Sequence, residues 1–155
     1  MIKEAIDIHH FLPHRAPMLM VDIISTLTPV FVRTNFKIQP NNIFVENGVL
    51  SEFGLIENAA QTCSSIVAQS YFDSEDVENL HKKEVIGFIS SIKSLQIHSL
   101  PNAGLEIETS ATLTTQYDTG SYITCTMECK TFCGTELLLE CEINLFIKEK
   151  TDEEE

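Results

Sequence analysis

The chain has 155 residues, a formal net charge of −13 and 43% hydrophobic residues. That length suits one domain with a sizeable core, and the acidity excludes nucleic acid and anionic membrane as partners, because both require a basic surface. No run of about eighteen apolar residues occurs, so no membrane span is expected. The start MIKEAIDIHH lacks the apolar core of a signal peptide, and a cytoplasmic location is expected.

Residues 3–10 read as a short helix capped by Asp7, followed by Phe11 to Pro17, where two prolines four apart hold an extended or turned segment. Met18 to Leu27 reads as a first strand. Val30 to Ile38 alternates, with Val30, Val32, Thr34, Phe36 and Ile38 on one face. Ser51 to Phe72 is the longest helical pattern, with Ser51 at the N-cap and Glu52 in the first turn. Phe53, Ile56, Ala60, Cys63 and Val67 recur at three- and four-residue steps as its buried face. Few polar residues lie on any side, so the helix is expected to be mostly enclosed. Glu57 is the one acid well inside it. A carboxylate there is costly unless it is paired, neutralised or used. Gln61 stands one turn on, at hydrogen-bonding distance in sequence, so a glutamate simply satisfied by Gln61 and backbone is the plain alternative.

Residues 73–83 read as a polar loop or short helical turn. Glu84 to His98 is a long strand, bent at Gly87, and Pro101 to Gly104 is a turn. Three alternating strands follow, with Leu105 to Leu113, Ser121 to Cys129 and Leu137 to Ile147 giving one apolar face each. Asp118-Thr119-Gly120 and Cys133-Gly134 are their hairpin turns. The expected architecture is α+β: an antiparallel sheet of five to six strands wrapped around one long central helix, which is the hotdog fold. Residues 1–150 are expected to form this single domain, and 151–155 an acidic disordered tail.

Five cysteines and no signal peptide point to reduced thiols. Cys125, Cys129 and Cys133 are spaced four apart, but zinc sites need further His or Cys ligands nearby, and core thiols are the expected reading. Neither a metal nor a cofactor is expected.

Two segments carry a family resemblance. Leu12-Pro13-His14-Arg15-Ala16-Pro17-Met18-Leu19-Met20-Val21-Asp22 resembles the LPHRxPxLLVD opening of the 3-hydroxyacyl-[acyl-carrier-protein] dehydratases, and Glu57-Asn58-Ala59-Ala60-Gln61 resembles their E-A-x-A-Q helix motif. Gly87-Phe88, Ile92-Lys93 and Pro101 to Gly104 resemble a later strand and P-G-D turn. The likeness is greatest to a dehydratase-like branch found in aryl-polyene and related pigment clusters. It implies a hotdog dimer, or a heteromer with a paralogue, with sites at the subunit interface. It also implies substrates carried as acyl thioesters of acyl carrier protein or coenzyme A.

Members of that family carry a base histidine about fourteen residues before the helix glutamate, which acts as proton donor. Here that place holds Ile43, which cannot titrate. Three readings stay open. Another group replaces the histidine: Glu46 and Asn47 are near in sequence, and His9, His10 or His14 come from elsewhere. Or Glu57 activates water for thioester hydrolysis. Or the chain is a non-catalytic partner of an active paralogue. The resemblance gives His14 a structural role, bonded to backbone between fixed prolines. Phe53, Ile56, Phe88 and Ile89 are the residues expected to line an acyl tunnel, and Arg15, Arg33, Lys37, Lys82, Lys83 and Lys93 the cations available to an acidic carrier or a phosphate.

Overall fold

The alternating apolar residues of the second half of the chain build one antiparallel sheet. The computed structural model describes residues 6–72 and 85–149. The loop at 73–83, the tail at 151–155, His81, Lys82, Lys83 and the side chain of His10 lie outside the described residues. The sheet runs β1-β2-β3-β7-β8-β9-β6, every neighbouring pair antiparallel. Its strands are β1 (Ile6–Asp7), β2 (Ile23–Leu27), β3 (Phe31–Lys37), β6 (Val85–Ile97), β7 (Glu106–Asp118), β8 (Ile123–Cys133) and β9 (Glu136–Glu149). A separate hairpin pairs β4 (Val45–Glu46) with β5 (Val49–Leu50), and α1 spans Glu52–Phe72. β1 is a two-residue edge, so six longer strands wrap one helix in the hotdog arrangement.

Strand periodicity places the core. Val32, Thr34, Phe36 and Ile38 are buried, as are Ile107, Thr109 and Ala111, then Ile123, Cys125, Met127 and Cys129, then Leu139, Cys141, Ile143, Leu145 and Ile147. Apart from Leu138, which is buried beside Leu139, each set alternates with exposed or half-buried neighbours, the mark of a sheet with one face on the core. Val30 and Ser121 fall just outside their strands and are exposed.

β6 departs from simple alternation. Gly87, Ile89, Ile92, Leu95 and Ile97 lie opposite Ile147, Leu145, Ile143, Cys141 and Leu139, with register shifts between Ile89 and Ser91 and between Ile92 and Ser94. Each extra residue turns a three-residue spacing back onto the helix side. No register shift falls at Gly87; the irregularities are these two bulges. The N-terminal segment also differs from expectation. Ile6–Asp7 joins the sheet and only Ile8–His10 makes a single 3-10 turn, because pairing with β2 satisfies backbone groups that a helix of a few residues cannot. The first strand begins at Ile23 rather than Met18, since Met18 to Met20 is held by side chains of α1 instead.

α1 is enclosed on nearly all sides. Leu55, Asn58, Ala59, Ala60, Gln61, Thr62, Cys63, Ser65, Ile66 and Val67 are all buried. The Ser51 carbonyl accepts from the Gly54 and Leu55 amides, so Ser51 occupies the cap position. Phe53 is the exception to the expected buried face: it is 70% exposed in the first turn, while Leu55 points into the core. Buried polar pairs set the helix on the sheet. Thr62 Oγ1 meets Thr34 Oγ1 at 2.7 Å, Thr109 Oγ1 donates to Asn58 Oδ1 at 2.6 Å, and Thr109 and Thr131 share a bond of 2.9 Å.

At the helix entry, Asn47 (φ 51°) and Gly48 (φ 76°) form the two-residue turn of the β4–β5 hairpin. Asn-Gly is the pair that such a turn favours, since both residues adopt positive φ. Leu50 and Phe44 close on Gly54, where a Cβ would meet Leu50 Cδ1 at 2.6 Å and Phe44 Cβ at 2.9 Å. Gly54→Ala is expected to destabilise the fold by about 1–2 kcal/mol, the overpacking cost exceeding the gain in helix propensity. Urea unfolding of the two proteins measures it, and a more stable variant would contradict the packing.

Candidate functional site

A strap of chain, Phe11 to Val21, crosses α1 and carries the histidine that, among the described residues, meets Glu57. His14 Nε2 lies 3.7 Å from Glu57 Oε1, with side chains 29% and 26% exposed. The strap is ordered by its own arginine, whose Nη1 donates to the carbonyls of Leu12 (2.9 Å) and His14 (2.8 Å). Its far end is held by two amide side chains of α1. Met20 N–H donates to Gln61 Oε1 at 2.8 Å, and Asn58 Nδ2 donates to the Met20 carbonyl at 2.6 Å. Gln61 Nε2 donates both to the Met18 carbonyl and to Glu57 Oε1, each at 2.8 Å. The i, i+4 bond between Gln61 and Glu57 thus sits within a larger clamp. All these groups are satisfied, which lets Asn58 and Gln61 be fully buried without loss.

The pair opens onto a cleft of about 230 Å³ between helix and sheet edge. Ala60, Gln61 and Ser64 line it from α1, with Gly87, Phe88 and Ile89 from β6 and Leu145 from β9. Glu57, Ala60, Gln61 and Ser64 fall on one stripe of the helix, and the small Ala60, Ser64 and Gly87 leave the space. Of the four residues expected at a tunnel, Phe88 and Ile89 line this cleft. Phe53 and Ile56 do not: Phe53 points to solvent and Ile56 is half-buried elsewhere. Ile43 is 48% exposed beside the hairpin, and neither it nor Ser51, Glu46 or His9 lines the cleft. Ala60, Ser64 and Leu145 carry no sequence signal beyond apolar or small character; the strap contacts of Asn58 were likewise missed.

His14 differs from the backbone-bonded histidine expected of its motif. Its Nδ1 is buried and has no hydrogen-bond partner among the described residues. Burial lowers its pKa from 6.5, opposed by the nearby Glu57 carboxylate, which raises it. The unfolded chain therefore takes up this proton at higher pH than the folded one. The stability owed to a neutral His14 is present above about pH 6.5 and is lost as pH falls through the lower folded-state value. The urea midpoint is expected to fall more between pH 7.5 and 5.5 in the wild type than in His14→Gln. Equal falls would show that His14 is not desolvated.

The thiols are part of the core. Cys63, Cys125, Cys129 and Cys141 are buried and Cys133 is half-buried. Burial pushes the Cys125 thiol up to about 11, and the hydrogen bond with Cys129, then burial, pushes Cys141 further up. Such thiols are poor nucleophiles. Among the described residues no cluster of three or more His, Cys, Asp or Glu is placed to hold a metal, and no helix is long and apolar enough to cross a membrane.

A single enclosed helix in an antiparallel wrap defines a hotdog-fold protein, and here an acid and an imidazole face a cleft at its sheet edge. The chain belongs to the ApeP-like family, ApeP dehydratase, whose model matches residues 6–154. Among solved structures it resembles a chain of the dehydratase heterocomplex ApeI:P from Xenorhabdus doucetiae, with a TM-score of 0.77, 15% identity, and 96% of this chain and 94% of that one covered. It is also similar to a hypothetical thioesterase protein with coenzyme A from Streptococcus pneumoniae (TM-score 0.59, 11% identity, 83% and 87% covered). An uncharacterised protein from Pyrococcus horikoshii is a third (TM-score 0.61, 13% identity, 85% and 86% covered). At these identities the structures report the fold. No curated protein matches the chain by sequence.

Proposed function

We propose that the protein dehydrates 3-hydroxyacyl thioesters, carried on acyl carrier protein, in polyene-type biosynthesis such as that of aryl polyenes, and that Glu57 and His14 are the two groups that act on the substrate. The observation that carries this reading is His14 Nε2 standing 3.7 Å from Glu57 Oε1 at the mouth of a cleft. Dehydration removes a proton from C2 and hydroxide from C3, and it needs one group to move the proton and another to bind the charge that develops on the thioester oxygen. With Ile43 at the place of the family's base histidine, His14 supplies the imidazole instead.

A second chain belongs to this reading. β6 is an edge strand of 13 residues, and Phe88, Ile92 and Leu95 on it are 50%, 38% and 41% exposed. A long apolar edge left unpaired invites strand addition. A second hotdog chain, identical or paralogous, would cover it and close the cleft, since Gly87, Phe88 and Ile89 lie on the same strand. Of the cations open to a carrier, Arg33 is paired with Glu108 (3.5 Å), Lys93 with Glu142 (3.4 Å), and Arg15 with its own strap.

The test is turnover of 3-hydroxyacyl thioesters, on acyl carrier protein and on coenzyme A, by the protein alone and with a paralogous hotdog subunit. Formation of the 2-enoyl product by the protein alone, or with the paralogue and reduced by His14→Ala in this chain, supports the proposal. Release of free thiol without unsaturation would make the protein a thioesterase that uses Glu57. Activity only with the paralogue, unchanged by His14→Ala in this chain, would make it a non-catalytic partner.

A further inference from the structure

We infer, on the reading of the protein as a dehydratase, that the proton is carried by Glu57 Oε2 alone and that His14 acts as a neutral N–H donor to the thioester oxygen, through Nε2. This differs from the roles implied by the family resemblance, in which histidine is the base and the helix acid the proton donor.

Gln61 dictates which oxygen of Glu57 reacts. Met20 N–H can only donate, so the Gln61 atom that it meets is the carbonyl oxygen. The amide nitrogen is then the atom facing Met18 O and Glu57 Oε1, and both of its hydrogens are used there. Glu57 Oε1 already accepts a hydrogen bond, so a proton taken up by the carboxylate goes to Oε2.

The His14 tautomer follows from its two nitrogens. A neutral imidazole has one proton. Placed on Nδ1, it would be a buried donor with no acceptor, and the Nε2 lone pair would face a carboxylate. Placed on Nε2, it faces that carboxylate and the cleft. Burial disfavours the charged ring, against the opposing pull of the Glu57 carboxylate. A histidine that serves as base through Nε2 needs Nδ1–H held by an acceptor, and none is present among the described residues.

In the reaction that results, Glu57 Oε2 takes the C2 proton and the electron pair moves onto the thioester oxygen, where His14 Nε2–H binds it. The pair then returns to form the C2=C3 bond as the C3–O bond breaks. The proton on Glu57 Oε2 passes to the departing oxygen, so water leaves, Glu57 is a carboxylate again and His14 is unchanged.

Two measurements test this. Long-range ¹H–¹⁵N correlations of the labelled protein at pH 7.5 report which nitrogen of His14 carries the proton, and Nε2 is expected. His14→Gln retains an N–H donor but cannot accept a proton in turnover. It is expected to dehydrate within about tenfold of wild type, with His14→Ala lower by about 10²–10³, the cost of one lost oxyanion donor. A proton on Nδ1, or a folded His14→Gln as inactive as His14→Ala, would overturn the inference. The tautomer is read without substrate, so absence of any dehydration in the wild type counts against the proposed function and leaves the spectrum to decide this one.

Discussion

Glu57→Gln is expected to abolish dehydration, with kcat lower by about 10³–10⁴ and KM little changed. One positioned acid–base group typically supplies roughly 10²–10⁴-fold, and Glu57 is asked both to take the C2 proton and to return it, which places the loss at the upper end. The substitution keeps shape. An amide oxygen at the place of Oε1 still accepts from Gln61 Nε2, the bond that Glu57 makes at 2.8 Å. The fold and the strap should therefore survive, and unfolding midpoints should agree closely. Steady-state formation of the 2-enoyl thioester measures the effect. A variant with a tenth of wild-type activity would remove Glu57 from the chemistry and leave it as a buried acid satisfied by Gln61.

The largest loss of stability is expected from Gln61→Leu. Leucine is close to glutamine in volume, so packing changes little, but three bonds vanish: those to Met20 N–H, Met18 O and Glu57 Oε1. Gln61 and Met20 are both buried, so water cannot replace the bond to Met20 N–H, whereas Met18 is exposed and Glu57 half-buried. The buried Met20 N–H left unsatisfied costs about 1–3 kcal/mol and each lost part-buried bond about 0.5–1 kcal/mol, so a total near 2–4 kcal/mol is expected. Because the same bonds hold the strap against the helix, His14 loses its station, and activity should fall even at temperatures where the variant is folded. Denaturant unfolding and turnover on the same preparation separate the two effects. A variant as stable as wild type would mean that Asn58, through its 2.6 Å bond to Met20 O, holds the strap without help.

The carrier choice rests on surface charge that the chain supplies sparsely. With a net charge of −13, long-range attraction to an acidic carrier or a phosphate is absent. Docking then depends on groups near the cleft, and on whatever chain adds to β6.

Much of the fold was determined by local pattern. A period of two over Ile107–Ala111, Ile123–Cys129 and Leu139–Ile147 can satisfy a half-buried strand and nothing else. The absence of any charged residue from 58–67 pointed to a helix covered all round. Glu57 stood out for the same reason, as a carboxylate in a segment with no solvent face, and Gln61 followed from helix geometry alone. Those are statements about neighbours in the chain, which a sequence contains.

What only the tertiary structure decided concerns groups far apart in the chain. His14 and Glu57 come together because Asn58 and Gln61 bond the backbone of Met18 and Met20, and a backbone acceptor has no signature in the sequence. The two bulges of β6 arise from pairing with β9, which sets register across strands rather than along one. Phe53 fits the helical period of a buried face yet is exposed, because periodicity gives the angle of a side chain about the helix and only the packed sheet determines where along the helix that face is covered.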